Sequence, residues 1–120
     1  MKIKVSEATN IQLDWMVAKC EGRTVTNYHG GAVWVKGRHE FFPSEDLEGY
    51  DFVFSAHCSW EIAGEIIEKH RIEIKPVYSG WVAFLGHTCF ALGENPRIAA
   101  MRCFVSSKLG DEVEIPEELK

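Results

Sequence analysis

A chain of 120 residues has room for one domain and one core, and with 46% apolar and 26% charged residues it has the balance of an ordinary globular fold rather than of a disordered chain. Its net charge of −5 argues against a nucleic-acid protein that works by broad phosphate neutralisation. The longest apolar run, Trp81 to Leu85, is far too short to span a bilayer.

The start, Met1-Lys2-Ile3-Lys4-Val5, has no apolar run behind its lysines, so no signal peptide is expected and the cytoplasm is the expected location. From Asn10 to Glu21, Leu13, Met16, Val17 and Cys20 recur at helical spacing. Thr9 or Asn10 caps the front, and Gly22 stops the helix. Ile11, Trp15 and Ala18 form a second apolar line on the same helix. Such a helix is either sandwiched inside its own domain or presents one face to a partner. Asn27 to Gly31 is turn-like. Ala32 to Val35 reads as a strand, with Trp34 facing away from Val33 and Val35.

Gly37 to Gly49 is a long connection carrying Phe41, Phe42, Pro43 and the acids Glu45, Asp46 and Glu48. Loops of this length are often functional. Tyr50 to Phe54 is a strand. Ser59 opens a second helix that runs to about His70. Trp60, Ala63, Gly64, Ile67 and His70 lie on one face, and Ile62 and Ile66 on its shoulder. Gly64 in mid-helix costs roughly 1 kcal/mol relative to Ala, which the close approach of another backbone would explain.

Ile72 to Tyr78 and Trp81 to Leu85 flank the turn Ser79-Gly80, and Gly86-His87 turns the chain into Thr88 to Leu92. An antiparallel three-stranded meander follows, with the strand of Pro76 at its edge. Asn95 and Pro96 mark the clearest helix start in the chain. That helix runs to Leu109 and ends at Gly110. Ile98, Met101, Phe104, Val105 and Leu109 make its core side. Ala99, Ala100, Cys103, Ser106 and Ser107 make a small-residue flank suited to a sheet or to a second subunit. The tail from Asp111 is acidic, with Val113 and Ile115 alternating. The predicted fold is α+β: a small antiparallel meander packed with about three helices in a single globular domain.

No P-loop, dinucleotide fingerprint, zinc-protease motif or nucleophile elbow occurs, so no catalytic residue and no cofactor is assigned. Cys20, Cys58, Cys89 and Cys103 form no Cys-x-x-Cys pair, and reduced thiols acting as small apolar side chains are expected. His57-Cys58 and His87-x-Cys89 supply zinc-ligand types, but adjacent residues of an extended chain point apart, so no metal is assigned. The start of the third helix is the candidate ligand site. Free N–H groups there favour an anion, Asn95 and Arg97 sit beside them, and Trp60 and Trp81 can wall a flat ligand.

Leu13-Asp14-Trp15-Met16-Val17-Ala18-Lys19-Cys20-Glu21-Gly22 resembles the Leu-Asp-Trp-x-Val-Ala-Lys-x-Glu-Gly segment of the NinX-like proteins of tailed phages and prophages. Pro96 through Val113 is similar to their closing helix and tail, and Trp60, Gly64, Ile66, Ile67 and Glu68 match their central stretch. The sequence departs from theirs at His57-Cys58-Ser59, where a Ser-Thr-Asp-like run is usual, and across residues 23 to 49. The resemblance implies a phage or prophage accessory protein acting in a bacterial cytoplasm. It carries over no activity, cofactor or catalytic residue.

Three functions fit. A binding protein that modulates or sequesters a host protein or a small anionic, nucleotide-type ligand needs no catalytic motif. A structural or regulatory partner in phage replication or recombination would use the second face of the first helix or the small flank of the third. A small enzyme without a recognisable motif is the third. A homodimer covering Ile11, Trp15 and Ala18 is the expected assembly, since exposed apolar patches are usually binding surfaces and twofold pairing covers a patch with itself. Trp15→Glu then gives a folded monomer by light scattering and circular dichroism. A monomeric wild type, or a mutant that loses its fold because the charge has entered the core, rejects that interface.

Overall fold

The computed structural model describes residues 1–36 and 51–120. The expected loop of residues 37–49, with Phe41, Phe42, Pro43, Glu45, Asp46 and Glu48, lies outside them, as does Tyr50. In chain order the elements are β1 (Lys2–Lys4), α1 (Asn10–Cys20), β2 (Val25–Asn27), β3 (Trp34–Lys36), β4 (Asp51–Val53) and α2 (Trp60–His70), then β5 (Glu73–Val77), β6 (Gly80–Leu85), β7 (Cys89–Gly93), α3 (Pro96–Leu109) and β8 (Glu112–Glu114). The fold is α+β, and its sheets are small and antiparallel.

The meander forms as expected, in the order β5-β6-β7. The two-residue turn is Tyr78-Ser79, one position earlier than expected, with Gly80 already in β6 opposite Val77, and Pro76 sits on edge strand β5, where its missing N–H removes no bond from the sheet interior. Two further sheets accompany it. One, β2-β3-β4, joins the region before α2. The other pairs the two ends of the chain, with Lys2 opposite Glu114, Ile3 opposite Val113 and Lys4 opposite Glu112. Opposite charges flank an apolar pair there, a pattern favourable across strands by a few tenths of a kcal/mol per pair.

Helix α1 starts in a capping box. Thr9 Oγ1 accepts from the Gln12 backbone N–H, and Gln12 Oε1 accepts from the Thr9 N–H at 3.0 Å. The buried Gln12 also donates from Nε2 to the Leu119 carbonyl at 2.6 Å, holding the tail against α1. On α2 the buried positions are Ala63 and Ile66. Its inner face is therefore turned toward the expected shoulder, and Trp60 is left 52% exposed.

Helix α3 is the centre of the molecule. Ile98, Ala99, Ala100, Met101, Cys103, Phe104 and Val105 are all buried, with the meander on one side and α1 and α2 on the other. The core side, except for the exposed Leu109 at the helix end, and much of the small flank are thus both interior. The flank admits the sheet: a Cβ on Gly93 would stand only 2.4 Å from the Ala99 nitrogen. Around Gly64 the expected close backbone is absent, with no described atom within 4 Å of a Cβ placed there.

These two glycines separate in urea unfolding. Gly93→Ala collides with backbone that has nowhere to go and loses about 1–3 kcal/mol. Gly64→Ala meets open space in a helix and gains about 0.5–1 kcal/mol.

Candidate functional site

The first turns of α2 and α3 and the middle of α1 meet at one place. Asp14 lies on the inner side of α1, in line with Ile11, Val17 and Ala18 at helical spacing, and is only 3% exposed. Leaving β4, the chain turns through residues 55–59, closed by the Ser59 N–H on the Ser55 carbonyl at 2.9 Å. His57 sits in that turn. Its backbone N–H donates to Asp14 Oδ1 at 2.9 Å, and its Nδ1 lies 2.7 Å from Asp14 Oδ2. Both carboxylate oxygens are therefore spent on one residue, and the ring is left with Nε2 unpartnered among the described residues.

Arg97, in the first turn of α3, donates from Nε to the His57 carbonyl at 3.3 Å. Its guanidinium lies over the Trp60 ring, 5.0 Å from the centroid, a cation–π pairing on the exposed side of α2. No carboxylate pairs with Arg97 among the described residues, so its charge is available. Ser59 caps α2 by accepting from the Ile62 N–H, and Asn95 Oδ1 accepts from the Ile98 N–H at 2.9 Å. Two helix N-termini, each carrying a positive partial charge, thus open near the arginine.

Of the expected ligand residues, Trp60 and Arg97 are brought together. Asn95 adjoins them but spends its amide oxygen as a cap. Trp81 lies opposite Gly93 on β6 and packs against the core; no ring contact joins it to Trp60 among the described residues. Of the expected interface line, Ala18 is fully buried and belongs to the core, because α1 presents that side inward. Ile11 and Trp15 are half-buried against the core, with Trp15 contacting the Tyr28 hydroxyl and Lys19 above its ring at 5.3 Å.

Asp14 and His57 are the pair that sequence reasoning did not join. The one local signal is a carboxylate placed at helical spacing among apolar positions. The His/Cys pairs considered for zinc are dispersed. His57 faces Asp14, Cys89 donates weakly to the Cys103 carbonyl at 3.6 Å, and no group of three metal-ligating side chains occurs among the described residues. Burial pushes the Cys20 thiol up to about 11 and the Cys103 thiol up to about 12, so both stay neutral and poorly nucleophilic. No helix of the described residues is long and apolar enough to cross a membrane.

The family described as Bacteriophage P22, NinX matches residues 4–108. Among curated proteins nothing matches.

Burial raises the Asp14 carboxyl from 3.8 to about 6, against the opposing pull of His57. A carboxyl raised on folding favours the protonated native state. Its contribution to stability is complete below the unfolded value and is lost as pH rises through the folded one. Wild-type stability is therefore expected to fall between about pH 4 and pH 6 relative to Asp14→Asn. Urea midpoints measured across that range test this, and parallel curves for the two proteins would contradict it.

Proposed function

We propose that this chain, which belongs to the NinX family of phage proteins, is a non-catalytic binding protein for a small, flat, anionic ligand of nucleotide type, acting in the cytoplasm of the bacterial host. The observation that carries this reading is Arg97, unpaired with any carboxylate among the described residues and stacked on the exposed Trp60 at the joint opening of two helices. A planar ring extends the Trp60–Arg97 stack. A phosphate takes the guanidinium Nη donors and the adjoining helix N-termini. His57, held from behind by Asp14, offers Nε2 at the same rim. The net negative charge of the chain fits a small ligand held by a local cationic point better than a long polyanion.

A second reading draws on the Asp14–His57 pair, since a carboxylate behind an imidazole is how a general base is held. Slow turnover of the bound ligand, abolished by His57→Ala, would distinguish an enzyme from a sequestering protein.

Thermal unfolding against a panel of mono- and dinucleotides tests the binding function. At about a hundredfold excess over Kd, a ligand selective for the native state adds ~2.7 kcal/mol, roughly 10 °C in Tm for a domain of this size. Arg97→Ala is expected to weaken binding by ~1.5–3 kcal/mol and Trp60→Ala by ~1–3 kcal/mol, with the fold intact. A panel without a shift, or a shift unchanged in both variants, contradicts this site.

A further inference from the structure

Cys89, Ala91 and Gly93 alternate along β7 and so share the face that meets α3. Ala99 and Cys103 lie four residues apart, on one side of that helix. The strand therefore meets the helix twice, at Gly93 and Ala99 and again at Cys89 and Cys103. At the second contact the Cys89 thiol donates to the Cys103 carbonyl at 3.6 Å, and the Cys103 thiol donates to the Cys89 carbonyl at 3.8 Å. Reciprocal contacts of this kind require the two side chains to lie side by side, and the thiols are within hydrogen-bonding reach of one another. A disulfide needs two cysteines whose backbones are already this close.

The two thiols are not equivalent. Cys103 is fully buried, whereas Cys89 is half-buried and lines a cleft beside Thr88 and Ser106. A small oxidant entering that cleft meets Cys89 first. Cys103, kept neutral by burial and by the neighbouring sulfur, stands behind it within reach. Neither Cys20 nor Cys58 contacts another thiol among the described residues.

We propose that Cys89 and Cys103 form a redox modification site, at which hydrogen peroxide closes a disulfide between β7 and α3. The Cys89 sulfur, as thiolate, attacks one peroxide oxygen. The O–O bond breaks, and the other oxygen leaves as hydroxide and takes up the thiol's proton to become water. Cys89 is then a sulfenic acid. The Cys103 sulfur attacks the Cys89 sulfur, the S–O bond breaks, and the departing hydroxide leaves with the Cys103 proton as a second water. Two thiols lose two electrons and two protons, and one peroxide becomes two waters. The bond closes a loop across 14 positions and ties the meander to the helix that carries Arg97. It does not use the Trp60–Arg97 site and stands or falls without it.

The test treats the native protein with hydrogen peroxide at about pH 8, where thiolate forms, then alkylates the remaining thiols and digests with trypsin. Trypsin cuts after Arg97 and Arg102, between the two cysteines. A linked peptide pair holding Cys89 and Cys103, split by dithiothreitol, is expected from the wild type and equally from Cys58→Ser, which lacks the exposed thiol. The oxidised protein runs as a single chain on a non-reducing gel and melts about 10 °C above the reduced one. Cys103→Ala stops the reaction at Cys89, which dimedone then labels as the sulfenic acid. Because Cys103 lies in the core, Cys89→Ser at the half-buried position serves as a second variant, abolishing the linked pair and the rise in Tm in a folded protein. Links from either residue to Cys20 or Cys58, links only between chains, Cys89 carried on to the sulfinic acid with Cys103 still free, or both thiols free after excess peroxide overturn the proposal.

Discussion

Helix α3 lies where it does because Gly93 has no side chain. The strand that leads into the helix passes so near its first turn that a single methyl group on Gly93 would meet the Ala99 backbone. That contact sets how closely the meander packs on the helix, and the small residues Ala99, Ala100 and Cys103 continue the close approach along it. With the sheet on one side, α1 and α2 take the other, and Phe104 reaches the His70 ring at 4.8 Å between centroids. Any loosening at Gly93 would move the N-terminus of α3, and with it Asn95 and Arg97.

The second constraint is electrostatic. Asp14 is taken out of water at a cost, which shows in a carboxyl raised toward neutrality. The cost is offset locally by two hydrogen bonds from one residue, His57, which lies in the turn before α2. A buried acceptor with a single source of donors fixes that source in place. The turn therefore cannot drift from α1, and Trp60 follows it by three residues. Arg97 then closes the arrangement by bonding the His57 carbonyl from α3. Three helices are tied at a point that also exposes an aromatic face and a guanidinium with no carboxylate partner among the described residues. Structural stitching and ligand-binding chemistry thus use the same residues.

The helices and the meander were legible because each rests on local chemistry. Period, cap and stop residues agree for α1 and α3, and the turn signal around Ser79 leaves the next strand little choice but to fold back, although the turn itself is Tyr78-Ser79. The pairing of β1 with β8 was not legible, since a three-residue strand gains its stability from a partner more than a hundred positions away. The inner face of α2 was misplaced by one row because Trp60, the largest apolar residue of that helix, is outside. Gly64 suggested a close neighbour, and the close approach is at Gly93 instead. In the site, the residue types around the α3 start pointed to Arg97 and Trp60 together. Trp81 was drawn in by its chemistry alone, and its strand turns it to the core. Asp14 was hidden by its place in a helix whose apolar neighbours explain themselves without it.

The arrangement depends on which way the Asp14–His57 hydrogen bond runs. At about pH 8 Asp14 is ionised, its carboxyl titrating at about 6, and can only accept. Nitrogen-15 shifts of the labelled His57 ring at that pH read the tautomer directly. Nδ1 carries a proton directed at Asp14, and Asp14→Ala should release the ring to a mixture of tautomers. A wild-type ring with its proton on Nε2 would contradict this, because Nδ1 could not then bond the carboxylate that holds the site together.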